Sequence, residues 1–429
     1  MRMLDPLRSA AGAVRRSPRA HLLGLLAFLA VAGYWSWLCL LGREPWRFMV
    51  DLSVYRDAGI SVLIGRPVYQ HLTGTPQLLP FTYPPFAALL MAPMGLLSLK
   101  MLAWLWTALQ YLLLAVVTAV VFRPALQRFG RWRPLALGAL VGLLAMLYPL
   151  REGALYGQIN MVLVSLVLAD YVVRAPRWPR GLLIGIATAI KLTPGIFIVH
   201  LWFAGRRREA LTAAATAVGC TLAAFLVIPT DSADFWFRAM LDSERLGVNR
   251  GTSNQSVRGI LLRFDLDHSV IALAVIGLIA CYGIRYAVRC TRRGDDLAAC
   301  AIVGLLAVLL SPVAWIHHLA WVVLVLAVAL HSGRSRRRVV YAAGLALFFL
   351  LELPYWAIGM VGPDIGLPHW LAKVIENAFG LAAIGLIPLL DRWSAENVLG
   401  RSRRWRRPPA DPIGLPPAKP VPEPATVAT

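Results

Sequence analysis

The chain has 429 residues, of which 58% are hydrophobic and only 15% charged, and its mean hydropathy is +0.64. A soluble domain has no interior large enough for that much apolar surface, so the composition excludes an ordinary globular enzyme and indicates a polytopic membrane protein. The formal net charge of +21 is spread over short clusters between apolar segments, which argues against nucleic acid as a partner and fits loops retained in the cytoplasm.

Residues 1–19 form a basic N-terminus carrying Arg15, Arg16 and Arg19. The apolar run 20–41 that follows contains "AVA" (30–32), which imitates a signal-peptide cleavage site. Because the run continues to Leu41, an uncleaved membrane anchor is the favoured reading. Next comes the first long polar-containing loop, 42–83. Within it, 52–65 is expected to form a short interfacial helix, with Ile60 and Ile64 straying onto its polar side. The stretch 77–97 is apolar but broken by prolines, and reads as a tilted or half-inserted helix.

Further apolar runs of spanning length lie near 100–122, 134–150, 157–173, 209–229, 269–288, 339–353 and 371–390. Two more are interrupted: 181–204 by "KLTP" (191–194), and 298–331 by "SPVAWIHH" (311–318). Proline removes a helical donor and disfavours helix in the residue before it, so each run should make two short helices meeting at the break. Charge supports this. Three arginines precede 181–204 and three follow it, and a single crossing would strand one set outside; a hairpin keeps both inside with Lys191 at its outer tip. The same holds for 298–331, between "RCTRRGDD" and "RSRRR".

These elements add to an all-α polytopic protein of about eleven to twelve membrane helices with both termini cytoplasmic. The core spans 20–334, with outer loops 42–83 and 230–268. Residues 335–392 supply C-terminal membrane helices, and 393–429 form a basic, proline-rich tail expected to be disordered. No inverted repeat of the transporter kind is visible. The five cysteines, Cys39, Cys220, Cys281, Cys290 and Cys300, form no CxxC pair, so neither a disulfide framework nor a zinc site is indicated.

This topology gathers most unusual polar residues of the membrane region on one face: Asp51 and Tyr55 in "VDLSVYRD", Tyr83 in "FTYPPF", Arg151, Glu152, Gln158 and Asn160 in "REGALYGQIN", Lys191, Asn254, Gln255 and Arg258 in "NQSVRG", and His317 and His318. Charges at membrane level are expensive and therefore mark functional sites. Each also has a plainer reading. Asp51 can be an interfacial aspartate, and Lys191 can snorkel to the headgroups. Arg151 and Glu152 can be a local ion pair, Gln158 and Asn160 can cap a helix, and Tyr83 can mark a bend. Asn254 and Arg258 can simply order the second outer loop. Adjacent histidines cannot face the same way on a helix, so one of the two is expected to point into a site, with His318 slightly favoured.

The set "VDLSVYRDAG", "PFTYPPFAAL", "YGQINMVL", "AIKLTPGIFI", "NQSVRG" and "LLSPVAWIHHLAW", in this order between about residues 49 and 321, resembles glycosyltransferase family 87, and within it the actinobacterial polyprenol-phosphate-mannose-dependent α-(1→2)-mannosyltransferases of phosphatidylinositol mannoside and lipomannan synthesis. Residues 335–429 carry no motif of that kind. The resemblance implies a type C glycosyltransferase fold in the plasma membrane, with outer-face loops forming an extracytoplasmic active site. It also implies a polyprenyl phosphate mannose donor, a mannosylated glycolipid acceptor and Asp51 as catalytic base.

The chemistry agrees with that role. A β-linked polyprenyl phosphate sugar attacked once gives an α-glycoside by inversion, which needs a base for the acceptor hydroxyl. Phosphate leaves as a stable anion, so one carboxylate suffices when cations stabilise the departing charge. His318, His317, Lys191 and Arg258 are the candidates for the donor phosphate. Tyr55, Tyr83, Arg151, Glu152, Gln158, Asn160, Asn254 and Gln255 are the candidates for substrate contact. "VDLS" holds a single acidic residue, so no cofactor or divalent cation is required, although Asp51 with Asp57 or Glu152 offers a place for one. A same-fold transferase of polyprenyl phosphate arabinofuranose or glucose is the nearest alternative. A lipid or sugar flippase should instead distribute its polar residues through the midplane, and a structural scaffold leaves the six motifs without a role. No oligomeric state follows from the sequence.

Overall fold

All regular elements among the described residues are helical, and the extended backbone is limited to two isolated antiparallel bridges, Leu72–Pro80 and Asn254–Trp315. The computed structural model describes residues 18–40, 49–75, 77–173, 175–266, 269–360 and 368–405. The basic extreme N-terminus and the proline-rich tail beyond 405 lie outside the described residues.

Helix α1 (Pro18–Leu40) runs unbroken through the "AVA" sequence. The first loop holds α2 (Val50–Ile64) and α3 (Pro85–Gly95), close to the two helices expected there. They touch backbone to backbone. A Cβ on Gly59 would lie 2.1 Å from the Met91 carbonyl oxygen, and one on Gly95 would lie 2.8 Å from the Ile60 nitrogen. Only hydrogen fits at these two positions, so α2 and α3 can approach this closely. Instead of lying on a surface, α2 buries Leu52, Val54, Tyr55, Ala58, Gly59 and Ser61.

Helix α4 (Leu99–Val121) is a full-length span. Helix α5 (Arg133–Met146) breaks at Leu147 and turns by 78° into α6 (Tyr148–Tyr156), with Pro149 in the first turn of the new helix. Helix α7 (Asn160–Val172) follows. The interrupted run folds as α8 (Leu182–Ile190) and α9 (Gly195–Phe203), with Lys191 extended at the break. At nine residues each, these two helices are about 13 Å long, shorter than the ~30 Å hydrocarbon core.

Long α10 (Arg207–Val227) leads to α11 (Pro229–Phe237) and α12 (Val257–Arg263) in the second loop, and then to α13 (Ser269–Arg292). Helices α14 (Asp296–Leu309) and α15 (Val322–Leu330) are buried nearly all round and form the centre of the structure. The six-residue 3₁₀ segment Ile316–Trp321 leads directly into α15. The chain closes with α16 (Arg336–Leu350), α17 (Leu353–Met360), α18 (His369–Glu376) and α19 (Ala378–Trp405).

The all-α polytopic architecture agrees with the sequence reading, but the expected eleven to twelve spans are not that many unbroken rods. Among the described residues four helices are long and apolar enough to cross a membrane alone, or five counting the bent α5–α6 pair. Prolines and polar breaks divide the remainder into shorter pieces. Helix α19 continues to Trp405, past the expected end of the membrane helices at 392.

The two long loops meet. Asp231 accepts the Val68 backbone N–H at 2.7 Å, and Arg245 donates to the Tyr69 carbonyl at 2.6 Å. The basic loops contact one another elsewhere, through Arg128 to the Gly333 carbonyl, Arg206 to Asp296 and Arg293 to Asp391.

Candidate active site

The carboxylate of Asp51 projects from the first turn of α2, where the helix N-terminus favours negative charge. Its hydrogen-bond partner is Gln158, which lies just past the α6 terminus. Gly157 ends α6 with φ 72°, and a Cβ there would approach the Leu52 Cβ to 2.7 Å. The turn that presents Gln158 can therefore press against α2 only with glycine in place.

Gln158 organises the cluster. Its Oε1 accepts from the hydroxyls of Tyr55 at 3.3 Å and Tyr83 at 3.4 Å, which are 2.8 Å from each other. The amide nitrogen remains to donate to Asp51, an orientation assigned from this network. Tyr69 donates to the Tyr83 carbonyl at 2.7 Å and fixes the loop before α3. Burial pushes the Asp51 carboxyl above the ordinary aspartate range. His317 when protonated, the Gln158 hydrogen bond and Lys191 draw it back, and Glu152 adds to the rise. Burial and the Asp51 charge raise the Tyr83 phenol, which stays a donor.

Lys191 reaches into this group from the α8–α9 break. Its Nζ lies 2.9 Å from His318 Nε2, 3.4 Å from the Tyr83 hydroxyl and 5.1 Å from the centre of the Tyr83 ring. His317 turns the other way. Glu152 Oε2 accepts from both the His317 backbone N–H at 3.1 Å and its Nδ1 at 3.0 Å, and Tyr148 donates to Glu152 Oε1 at 3.4 Å. Asn160 donates to the His317 carbonyl at 2.9 Å. Two cavities flank this wall. Gln110, Gln158, Asn160 and His317 line one, and Asn160, Lys191, Thr193 and His318 line the other.

The structure thus brings together Asp51, Tyr55, Tyr83, Glu152, Gln158, Asn160, Lys191, His317 and His318. It directs others elsewhere. Arg151 does not pair with Glu152; it pairs with Glu352 and stacks 5.1 Å from the Tyr148 ring centre. The amides of Asn254 and Gln255 are fully buried and engaged in bracing: Asn254 Oδ1 accepts from Ser256 and Ala314, and Gln255 binds the Thr252 and Glu376 carbonyls and the Gly380 N–H. Half-buried Arg258 on α12 has no hydrogen bond or ion pair to the cluster among the described residues. Its neighbour Arg263 is the structural arginine, donating to Gly251, Asn254 and Asn377.

One member went unnoticed in the sequence. Gln110 lies within the apolar α4 and donates to the Gln158 carbonyl at 2.7 Å. A lone amide inside a spanning segment was the available signal. Among the described residues no three His, Cys, Asp or Glu side chains group in a way that holds a metal ion.

A single carboxylate beside a tyrosine–amide network, an ammonium and two histidines has the parts needed to deprotonate one hydroxyl and receive one anion. The family model described as glycosyltransferase family 87 matches residues 81–312, just over half the chain. The chain belongs to glycosyltransferase family 87. A Mycolicibacterium smegmatis relative, named a polyprenol-phosphate-mannose-dependent alpha-(1-2)-phosphatidylinositol mannoside mannosyltransferase, is 36% identical over 78% of this chain and 83% of its own length. A Mycobacterium tuberculosis protein of the same name is 34% identical over 75% of this chain and 78% of its own. Another M. tuberculosis relative, named for a phosphatidylinositol pentamannoside, is 31% identical over 92% of this chain and 94% of its own. No solved structure matches the chain. In this family 87 glycosyltransferase the matched span holds Tyr83, Glu152, Gln158, Asn160 and Lys191, while Asp51 precedes it and both histidines follow its end at residue 312.

Proposed function

We propose that this protein transfers mannose from polyprenyl phosphate mannose to a mannosylated phosphatidylinositol with inversion, forming an α-(1→2) linkage at the extracytoplasmic face of the plasma membrane. The observation that carries the reading is the meeting of Asp51 and Lys191 around the Tyr83–Gln158 pair in a chain so similar to proteins named for that reaction.

In this reading Asp51 takes the proton of the acceptor hydroxyl as its oxygen attacks the anomeric carbon. The bond between that carbon and the phosphate oxygen breaks, and polyprenyl phosphate leaves with the electron pair. Asp51 sits at a helix N-terminus and bonds to an amide, which holds a carboxylate ready as a base. Lys191 has three N–H donors and uses two, on His318 and Tyr83, leaving one for a phosphate oxygen. Asn254, Gln255 and Arg263 act at one remove, by holding residues 311–318 in place. The extracytoplasmic placement draws on the meeting of the two long loops and on the basic loops that pair with one another elsewhere.

The test is reconstitution of the full chain in lipid with polyprenyl phosphate mannose and phosphatidylinositol mannosides of different length. Release of polyprenyl phosphate with growth of the glycolipid by one α-linked mannose is expected. Transfer from an arabinofuranosyl or glucosyl donor, with none from the mannosyl donor, would overturn the sugar assignment.

A further inference from the structure

His317 and His318 are neighbours in sequence, yet they line different cavities. The geometry of His317 is unusually constrained. Its Nδ1 faces the Glu152 carboxylate at 3.0 Å, so in the neutral ring the proton sits on Nδ1 and Nε2 carries the lone pair. Nε2 is buried and has no hydrogen-bond partner, in a residue only 4% exposed. A buried polar atom without a partner is costly to the fold. His317 lines a cavity shared with Gln110, Gln158 and Asn160.

We infer that His317 Nε2 accepts a hydrogen bond from a non-reacting hydroxyl of the acceptor sugar, and that the Glu152–His317 pair recognises the acceptor while Lys191 and His318 hold the donor phosphate. The inference rests on the glycosyl-transfer reading above. Chemistry disfavours the phosphate: Nε2 of the neutral ring only accepts, phosphate oxygens only accept, and a sugar hydroxyl donates. Position agrees, because Gln158 lines this cavity and is also hydrogen-bonded to Asp51. The hydroxyl held by His317 and the one deprotonated by Asp51 then belong to one sugar ring. A site that must satisfy a buried acceptor rejects an analogue lacking the matching hydroxyl.

The experiment uses the full chain in lipid nanodiscs, polyprenyl phosphate mannose, an alkyl α-mannoside acceptor, and analogues of it that each lack one non-reacting hydroxyl. In the wild type one analogue should lose on the order of tenfold to a hundredfold in kcat/KM. In His317→Ala that analogue and its parent should react equally, with the donor KM unchanged. Glu152→Gln keeps an oxygen to face Nδ1 and should retain only part of the wild-type discrimination, which covers failure of the alanine variant to fold. A raised donor KM in His317→Ala with discrimination intact would put Nε2 on the phosphate and overturn the inference. So would equal losses for every analogue in wild type and variant, the result expected if water occupies the cavity. If wild type transfers no mannose at all, the functional reading fails first. Calorimetric binding of the alkyl mannoside and its analogues to wild type and His317→Ala then still decides the role of His317.

Discussion

Lys191 Nζ and His318 Nε2 lie 2.9 Å apart, although 127 positions separate them in the chain. An ammonium that donates to this nitrogen leaves the histidine proton on Nδ1, and Lys191 remains the local cation. Lys191→Met removes that charge while keeping most of the side-chain length. It should lower kcat/KM for the polyprenyl phosphate donor by about a hundredfold or more. Lys191→Arg should restore little, because a planar guanidinium does not replace a compact ammonium between a ring nitrogen and a phenol. Steady-state kinetics with varied donor, alongside binding of polyprenyl phosphate, checks both.

Asp51→Asn keeps shape and removes the base. A fall in kcat of on the order of a hundredfold to ten-thousandfold is expected, with thermal stability in detergent close to wild type. Transfer at the wild-type rate would reject Asp51 as base.

The pH profile carries its own sign. Burial raises the Asp51 carboxyl above 3.8, and the reaction needs the unprotonated form. Activity should therefore fall on acidification at a pH above that ordinary aspartate value. Lys191 opposes the rise, so the residual activity of Lys191→Met should show its acid limb at higher pH than wild type. A limb that moves to lower pH contradicts this electrostatic reading.

Gly59 lies where a methyl group would come within 2.1 Å of the Met91 carbonyl. Gly59→Ala should separate α2 from α3, destabilise the protein by about 1–3 kcal/mol and lower transfer by displacing Asp51. Gly219→Ala on α10, where nothing lies within 4 Å of the new methyl, should leave both properties unchanged. Thermal shift and activity on the two variants provide the comparison.

Topology is testable with two cysteines. Val248, 73% exposed in the second long loop, should react as Val248→Cys with a membrane-impermeant maleimide in intact cells. Arg131→Cys, in an exposed basic loop, should react only after permeabilisation. The reverse pattern would invert the orientation of the site.

Chain breaks and charge clusters were legible in the sequence because their causes are local. Proline at 194 and 312 forbids a continuous ladder, and arginines on both sides of 181–204 call for a return to the same face. The same local causes place Asp51, Tyr83 and Lys191 on one face. Side-chain direction was less legible. Arg151 and Glu152 are adjacent, yet a helix turns successive residues by about 100°, so one reaches Glu352 and the other His317. Asn254 and Gln255 read as sugar-binding amides, but their partners lie on segments up to 125 residues away. No local pattern specifies such contacts. Gln110 escaped notice because one amide barely alters the hydropathy of a 23-residue apolar helix.

The brace formed by Asn254, Gln255 and Arg263 has a consequence for modularity. Its anchor points at Glu376, Asn377 and Gly380 lie beyond residue 312, where the family match ends. The brace therefore ties the motif-bearing stretch to anchor points outside it, at 376–380. A chimera that grafts residues 49–321 onto the C-terminal helices of a distant relative would keep every reactive side chain and lose the strut that aligns the two histidines. It should bind donor and turn over poorly until the positions equivalent to 376–380 are transplanted as well.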